Sequence, residues 1–395
     1  MRGNSDSMNS YRIDWIEDIS EVDREQWDRL ALPLESPFLE WRWLRLLESS
    51  GSVGRRSGWL PVHLTVWSGS RLVGAAPLYI KVHSSGEFVF DHLWADVAEQ
   101  LGVSYYPKLL GMSPFTPMAG YRFLIDAEHD EEELTGLMIQ AIDRLCGQYN
   151  LSGCHFNFVE DQWRHRMQRH GFQTWEHQRY IWENEGYRTF EDYLARFRTN
   201  QRRNIKRERR SMAQQGIRIE WLEGGRIGPE ILEWMYAYYV RTNEQFGPWA
   251  CKFLNRGFFD GLGSELRDRL LIIAAYREGA SEPAGVSLLV YKGDKLYGRY
   301  WGGVDTINNL HFNLCYYSPI EWAIERGIKL FDPGLGGMHK MRRGFRSVSN
   351  LSLHRFRDRR LQAVLQAYIG EINRVEREQI DALNRRLPFA EGEGG

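Results

Sequence analysis

The sequence predicts a mixed α/β protein of the α+β type, made of two tandem copies of one unit whose mostly antiparallel sheet is flanked by helices. Three observations predict it. The chain has 395 residues, more than one ordinary hydrophobic core accommodates and enough for two. Short runs alternate apolar and polar residues as half-buried strands do. Finally, a set of segments recurs once, in the same order, which is the signature of an internal repeat.

The repeat supplies the elements. Arg12-Ile13-Asp14-Trp15-Ile16-Glu17 returns as Arg218-Ile219-Glu220-Trp221-Leu222-Glu223, the opening strand of each copy. A helix follows, around 23–31 and 228–243, then a second one led by Phe38-Leu39 or Phe253-Leu254. HLTVWSGSRLVGAAPLYIK (63–81) aligns with IIAAYREGASEPAGVSLLVYK (272–292), with Gly74, Leu78 and Lys81 matching Gly285, Leu289 and Lys292. Two β-rich runs around a Gly/Ser turn read as a hairpin. A helix at about 131–148 or 312–326 leads to a short strand, CHFNFV or IKLFDP, then a basic segment and a last strand. There Arg169-His170-Gly171-Phe172 echoes Arg342-Arg343-Gly344-Phe345, and an insertion near 91–130 sets the first copy apart. The expected layout is a disordered N-terminus at 1–10, a first domain at 11–182, a basic helical linker at 183–215, a second domain at 216–388 and a flexible tail at 389–395.

Hydrophobic residues at 43% and charged residues at 26% are globular values. The net charge of -1 gives no whole-molecule field for nucleic acid or an acidic membrane, so any such partner must meet a local patch. No apolar run approaches membrane-spanning length, and the first residues carry no leader-like stretch, which predicts a cytoplasmic protein. Cys146, Cys154, Cys251 and Cys315 form no CxxC pair and read as free thiols. His155, His165, His170 and His177 lack metal-ligand spacing, so no metal is expected.

The order of elements is similar to the GNAT (acyl-CoA N-acyltransferase) fold, and a tandem of two such domains resembles the Fem peptidoglycan ligases. HSSGEFVFDHLWA (83–95), YYPKLLG (105–111), PFTPMAGYR (114–122), RRNIKRERR (202–210), LYGRYWG (296–302), LHFNLCYY (310–317) and GGMHKMRRGF (336–345) resemble a bacterial family of FemAB-like N-acyltransferases labelled peptidoglycan biosynthesis or recognition. The resemblance covers nearly the whole chain. It implies transfer of an acyl group to an amine of a small-molecule or peptide-like acceptor. The donor would be acyl-CoA, as in most GNAT enzymes, or aminoacyl-tRNA, as in the Fem ligases. No permanently bound cofactor is implied.

The second copy offers a donor site. Strand alternation places Tyr297, Arg299 and Trp301 on one face, an arginine between aromatics that suits a carboxylate or phosphate, or a structural ion pair. The loop Gly302 to Leu310 sits where GNAT domains cradle pyrophosphate, but it reads GGVDTINNL rather than Arg/Gln-x-x-Gly-x-Gly/Ala. Gly334, Gly336 and Gly337 admit positive φ and close approach of a ligand. Lys340 is the first candidate for oxyanion or donor contact, because a Lys in the corresponding segment of the Fem ligases is thought to offset negative charge. Arg343, one turn on, is expected on its face. The resemblance implies glutamates where this chain has Asn313 and Met338, which leaves three readings: His311 or His339 as the base, water as the proton carrier, or a member that has changed or lost its chemistry and serves as a non-catalytic binding or recognition protein. Neither Cys251 nor Cys315 sits in a nucleophile setting, which points to direct attack by the amine.

The first copy offers an acceptor site: Tyr105, Tyr106 and Lys108 as an aromatic and cationic wall, with His83 and Glu87 as an acid–base pair or a hydrogen-bonded structural pair. In the linker, Arg202, Arg203, Lys206 and Arg207 can hold the phosphates of CoA or of tRNA, or form a solvated face.

Overall fold

The computed structural model describes residues 11–245, 247 and 251–390. The segment 1–10 and the tail residues 391–395 lie outside the described residues. The chain forms two compact units, and neither is contiguous. Unit 1 comprises Met1–Ser49, Val53–Trp175 and Leu351–Ile369, and unit 2 comprises Ser50–Ser52, Glu176–Asn350 and Gly370–Gly395. These limits differ from the halves 11–182 and 216–388 read from the repeat. Backbone pairing is the reason: Trp182 and Glu183 pair with Phe331 and Leu330 in unit 2, whereas Ser352–Phe356 pair with Gly153–Asn157 in unit 1.

In unit 1 the strands Tyr11–Ile16, His63–Ser68, Arg71–Ala76 and Leu124–Ile125 form one antiparallel sheet in that order. The expected hairpin is present at 63–76, but its second run is broken by Pro77, which has no N–H to give a ladder. Leu78–Lys81 therefore joins other partners, pairing antiparallel with Trp59–Pro61 and with Lys108–Gly111. Lys108–Gly111 then pairs in parallel with Gly153–Asn157. Asp23 caps the helix Arg24–Ala31 by accepting from the N–H groups of Glu25 and Gln26, and Asp130 caps Glu131–Gln148 in the same way. Trp27, Trp43, Trp59, Trp94 and Trp163 are fully buried, so the aromatic excess goes into this core.

In unit 2 the strands Ile217–Glu223, Leu270–Arg277, Pro283–Lys292 and Lys295–Gly303 run antiparallel in order, and Lys295–Gly303 pairs in parallel with Leu330–Asp332. Here the second run of the hairpin is unbroken. The segment expected to be a linker is integral to this core. Its helices Phe190–Ala195 and Thr199–Gln214 bury Tyr193, Leu194, Ile205 and Met212 among Leu314, Tyr317 and Ile320. The expected flexible tail is corrected at its start. Phe389 bridges Phe197, its carbonyl accepts from Arg198 Nε at 2.9 Å, and the Ala390 N–H donates to Arg196 O at 2.9 Å. The helix Arg359–Asn384 has no counterpart in the repeat, and Leu361, Leu365, Ile369, Ile380 and Leu383 give it a buried stripe at helical spacing. No helix among the described residues is long and apolar enough to cross a membrane.

Candidate active site

The site in unit 2 begins where two strands part. Lys295–Gly303 and Leu330–Asp332 pair only over Lys295–Tyr297 and Leu330–Asp332. A Cβ on Gly298 would lie 3.3 Å from the Pro333 backbone, so a glycine here lets the strands close up just before they separate. Beyond that point one arm carries Trp301, and the other becomes the loop containing Gly334, Gly336 and Gly337, all at positive φ as their residue type allows.

Two imidazoles connect the arms. The His311 ring lies 4.4 Å from that of Trp301 and 5.7 Å from that of His339, and His339 packs against Gly337. His339 Nε2 is 2.9 Å from the Tyr316 hydroxyl. Burial, with the cations Arg343 and Lys340 adding to it, lowers the His339 pKa below its ordinary value. Burial and the neighbouring His339 pull His311 down to about 3. Both rings are neutral near pH 7. The helix that presents His311, Phe312 and Tyr316 carries a π-turn over Asn313–Tyr317, a local widening often found at functional sites.

Lys340 and Arg343 are brought to the site but engage different partners. Lys340 is 2% exposed, and its ammonium donates to the carbonyls of Gly334 at 2.6 Å and Leu335 at 3.0 Å. It ties down the glycine loop, and burial lowers its pKa to about 8. Arg343, 3% exposed, donates to His339 O at 2.9 Å and to the Glu208 carboxylate at 2.7 Å, and lies 3.4 Å over the Phe312 ring. Both side chains are thus hydrogen-bonded within unit 2, Lys340 to the glycine loop and Arg343 to the linker helix.

Glu208 is the residue that the sequence reading passed over as a counter-charge. Its carboxylate also accepts from the Tyr317 hydroxyl, and its carbonyl accepts from Asn313 Nδ2 at 3.0 Å. A signal was present: Ile205, Glu208 and Met212 fall at i, i+3 and i+7, which places a lone acid on the apolar face of an otherwise cationic helix. Asn313 Nδ2 donates to the backbone carbonyls of Glu208 and Asn309, and Met338 is 66% exposed.

Other expectations for unit 2 are corrected. The register between Pro283–Lys292 and Lys295–Gly303 slips at Leu288/Leu289, so Leu289 faces Gly298, Leu288 faces Tyr300, and Arg299 is the extra residue of a bulge. Alternation fails there, and Arg299 donates to the Tyr300 hydroxyl at 2.9 Å. Gly302 and Gly303 belong to the strand, and the following loop is held by the linker helix: Asn308 N–H donates to Gln215 Oε1 at 3.0 Å, and Asn309 Nδ2 donates to Ser211 Oγ at 3.1 Å. That N–H is not available to cradle a phosphate. Burial raises the Cys315 pKa to about 12, which leaves a thiol rather than a thiolate.

In the linker helix Arg202 donates to Phe197 O at 3.1 Å and Lys206 pairs with Glu191 at 2.8 Å. Arg203, Arg207 and Arg210 are exposed at i, i+4 and i+7, on one side as expected.

The acceptor residues expected in unit 1 form a closed network rather than an open wall. Lys108 is 1% exposed and donates to Ser84 Oγ at 2.8 Å, Glu87 Oε2 at 2.8 Å and Asp91 Oδ2 at 2.5 Å. Tyr105 is buried and donates to Asp91 Oδ2 at 2.7 Å, while half-buried Tyr106 shares a 2.7 Å bond with Ser84. His83 does not pair with Glu87; its Nδ1 accepts from the Ser85 N–H at 3.2 Å, and its ring covers Gly58. Burial raises the Glu87 pKa, with Asp91 adding to the rise and Lys108 opposing it. For Lys108, burial is outweighed by Glu87 and Asp91, and its pKa goes up. Lys81, the cross-strand partner of Lys108, donates to Ser85 O at 3.3 Å and lies 3.8 Å over the Trp59 ring. Burial, aided by Lys108, brings its pKa down to about 7.

Among the described residues no group of three or more His, Cys, Asp or Glu side chains could hold a metal ion. The model of the FemAB-like family, described as peptidoglycan biosynthesis/recognition, matches residues 18–391. The fold is similar to that of the FemX crystal structure, with a TM-score of 0.53 and 12% identity over 88% of this chain and 98% of that one. It is also similar to the C-terminal domain of a provisionally named lysylphosphatidylglycerol synthetase from Agrobacterium fabrum, with a TM-score of 0.52 and 10% identity over 89% and 97%. None of the curated proteins matches the chain in sequence. With a family model that spans both units, the chain belongs to the FemAB-like family.

Proposed function

We propose that this protein moves an acyl group from acyl-CoA to the amine of a small-molecule or peptide-like acceptor, with no permanently bound cofactor. The observation that carries the reading is the pair of neutral imidazoles, His311 and His339, set between the parted strands beside Trp301 and Gly337. Acyl transfer needs an amine that loses its proton as it attacks. In the tautomer whose Nε2–H donates to Tyr316, His339 keeps Nδ1 free to take that proton. The amine nitrogen attacks the thioester carbonyl, the tetrahedral intermediate collapses, and the carbon–sulfur bond breaks. The CoA thiolate then receives a proton. Trp301 and His311 supply the apolar wall, and Lys340 acts as a positioning residue that holds the glycine loop. A covalent acyl-cysteine is disfavoured by the high pKa of Cys315. The four unbridged cysteines suit a reducing compartment, and we place the protein in the cytoplasm.

A second reading, aminoacyl transfer from tRNA to a peptidoglycan precursor, is favoured by the exposed stripe of Arg203, Arg207 and Arg210. Thermal shift separates the two, because a ligand that binds only the folded state raises its midpoint in proportion to occupancy. Acyl-CoA is expected to stabilise the protein and aminoacyl-tRNA is not. The opposite ranking would replace the first reading by the second.

A further inference from the structure

Unit 2 contains a cleft of ≈ 530 Å³ that is bordered by His339, the base of the acyl-transfer reading, and extends past it along residues which that reading does not use. It opens between the linker helix, the turn Met338–Arg343 and the end of the helix Arg359–Asn384. Its volume falls within the range of small-molecule sites. The surfaces divide by chemistry. Phe312, Met338, Met341, Leu383 and Pro388 supply apolar walls, and Met338 keeps 66% of its surface exposed. Met338 therefore presents a flexible, polarizable apolar side chain to solvent at this cleft.

Arg342 and Arg386 stand at the same cleft, both exposed, and neither has an ion-pair partner among the described residues. Arg343 and Glu208 also border it, but they neutralise each other at 2.7 Å. The cleft therefore has a net positive lining set by two free guanidinium groups, next to apolar walls. Guanidinium forks suit carboxylate and phosphate oxygens. Gln201 Nε2 donates to Arg342 O at 2.7 Å and fixes the backbone that carries the arginine.

We propose that this cleft is a binding site for an anionic amphiphile, with its carboxylate or phosphate between Arg342 and Arg386 and its apolar chain along Met338, Met341, Phe312 and Leu383. Fatty acids, lipid phosphates and acyl thioesters of CoA share this chemistry. In its acyl-CoA form the proposal rests on the acyl-transfer reading, because His339 borders the cleft; binding of the amphiphile itself does not depend on turnover.

The test is calorimetric binding to the full chain of dodecanoic acid, dodecyl phosphate and dodecanoyl-CoA below their micelle concentrations, with dodecanol and inorganic phosphate as controls. The tightest of the three amphiphiles identifies the source, and it is expected to bind at least about tenfold more tightly than either control. Arg342→Glu with Arg386→Glu, and separately Met338→Asp, should each weaken it about tenfold; all three side chains are exposed, so the fold is expected to persist. Binding of inorganic phosphate or dodecanol as tightly as any amphiphile, or unchanged affinity in both variants, would overturn the proposal. Amphiphile binding without amide formation would count against the acyl-transfer reading alone, and amide formation without amphiphile binding at this cleft would count against this site alone.

Discussion

Arg343 and Glu208 meet at 2.7 Å across 135 residues of sequence, with the guanidinium lying 3.4 Å over Phe312 and the carboxylate also bonded to Tyr317. This pair joins the linker helix to the turn that carries His339 and Lys340, so the geometry of the site depends on it. Removing one member of such a pair leaves the other charge buried and uncompensated. Arg343→Met is expected to lower stability by about 3 kcal/mol, and Glu208→Gln by less, because the Glu208 side chain keeps 19% exposure. Urea unfolding of the singles and the double variant checks this. The double should lose little more than Arg343→Met, because the two changes share one interaction.

Lys81 sets a pH dependence of stability. Its folded-state pKa of about 7 lies below the ordinary 10.5, so between these values the unfolded chain binds more protons and stability rises with pH. Lys340 adds a rise of the same sign from about 8 to 10.5. In Lys81→Met the first contribution is absent. The unfolding midpoint of the native chain is expected to climb relative to that variant between pH 7 and 10, by up to about 4 kcal/mol in stability. Parallel profiles would contradict the burial of a cationic lysine over Trp59.

His339 sets the acid limb of the reaction. A base whose pKa lies below the ordinary 6.5 stays neutral to lower pH, so kcat/KM should fall only below pH 6.5. His339→Gln is expected to lower kcat about 100-fold and abolish the limb. His311→Phe should leave the limb in place, because His311 is neutral down to about 3. A limb that survives His339→Gln would assign the base elsewhere.

The exposed arginines report the donor. Changing Arg203, Arg207 and Arg210 to Glu is expected to leave transfer from acyl-CoA within about twofold, since their side chains make no site contact. Loss of transfer from aminoacyl-tRNA instead, with the salt slope of binding reduced by about 2, would mark those residues as phosphate contacts.

The strands and helices of each copy were legible because alternation and helical spacing follow from burying one face. The interruption at Pro77 was also written in the sequence, yet the match of Leu78 and Lys81 to Leu289 and Lys292 concealed it. Which unit each last strand joins was not legible, since Trp182 and Ser352 reach their pairing partners through long-range contacts that local pattern does not encode. In the site, the glycine loop and the His-Lys pair could be read from residue type. The bulge at Arg299 and the arrival of Glu208 could not be read from strand alternation or from a charge count. Lys108 shows the same limit: a cation beside two tyrosines suggests a wall, and only the fold shows it enclosed by Glu87 and Asp91.

The most direct test of the central claim is mass-spectrometric detection of product after incubation with a panel of acyl-CoAs and a panel of amine and peptide acceptors. The expected result is an amide product with free CoA in equal amount, strongly reduced in both His339→Gln and Lys340→Ala. No amide from any acyl-CoA, or a yield unchanged in those two variants, would contradict it.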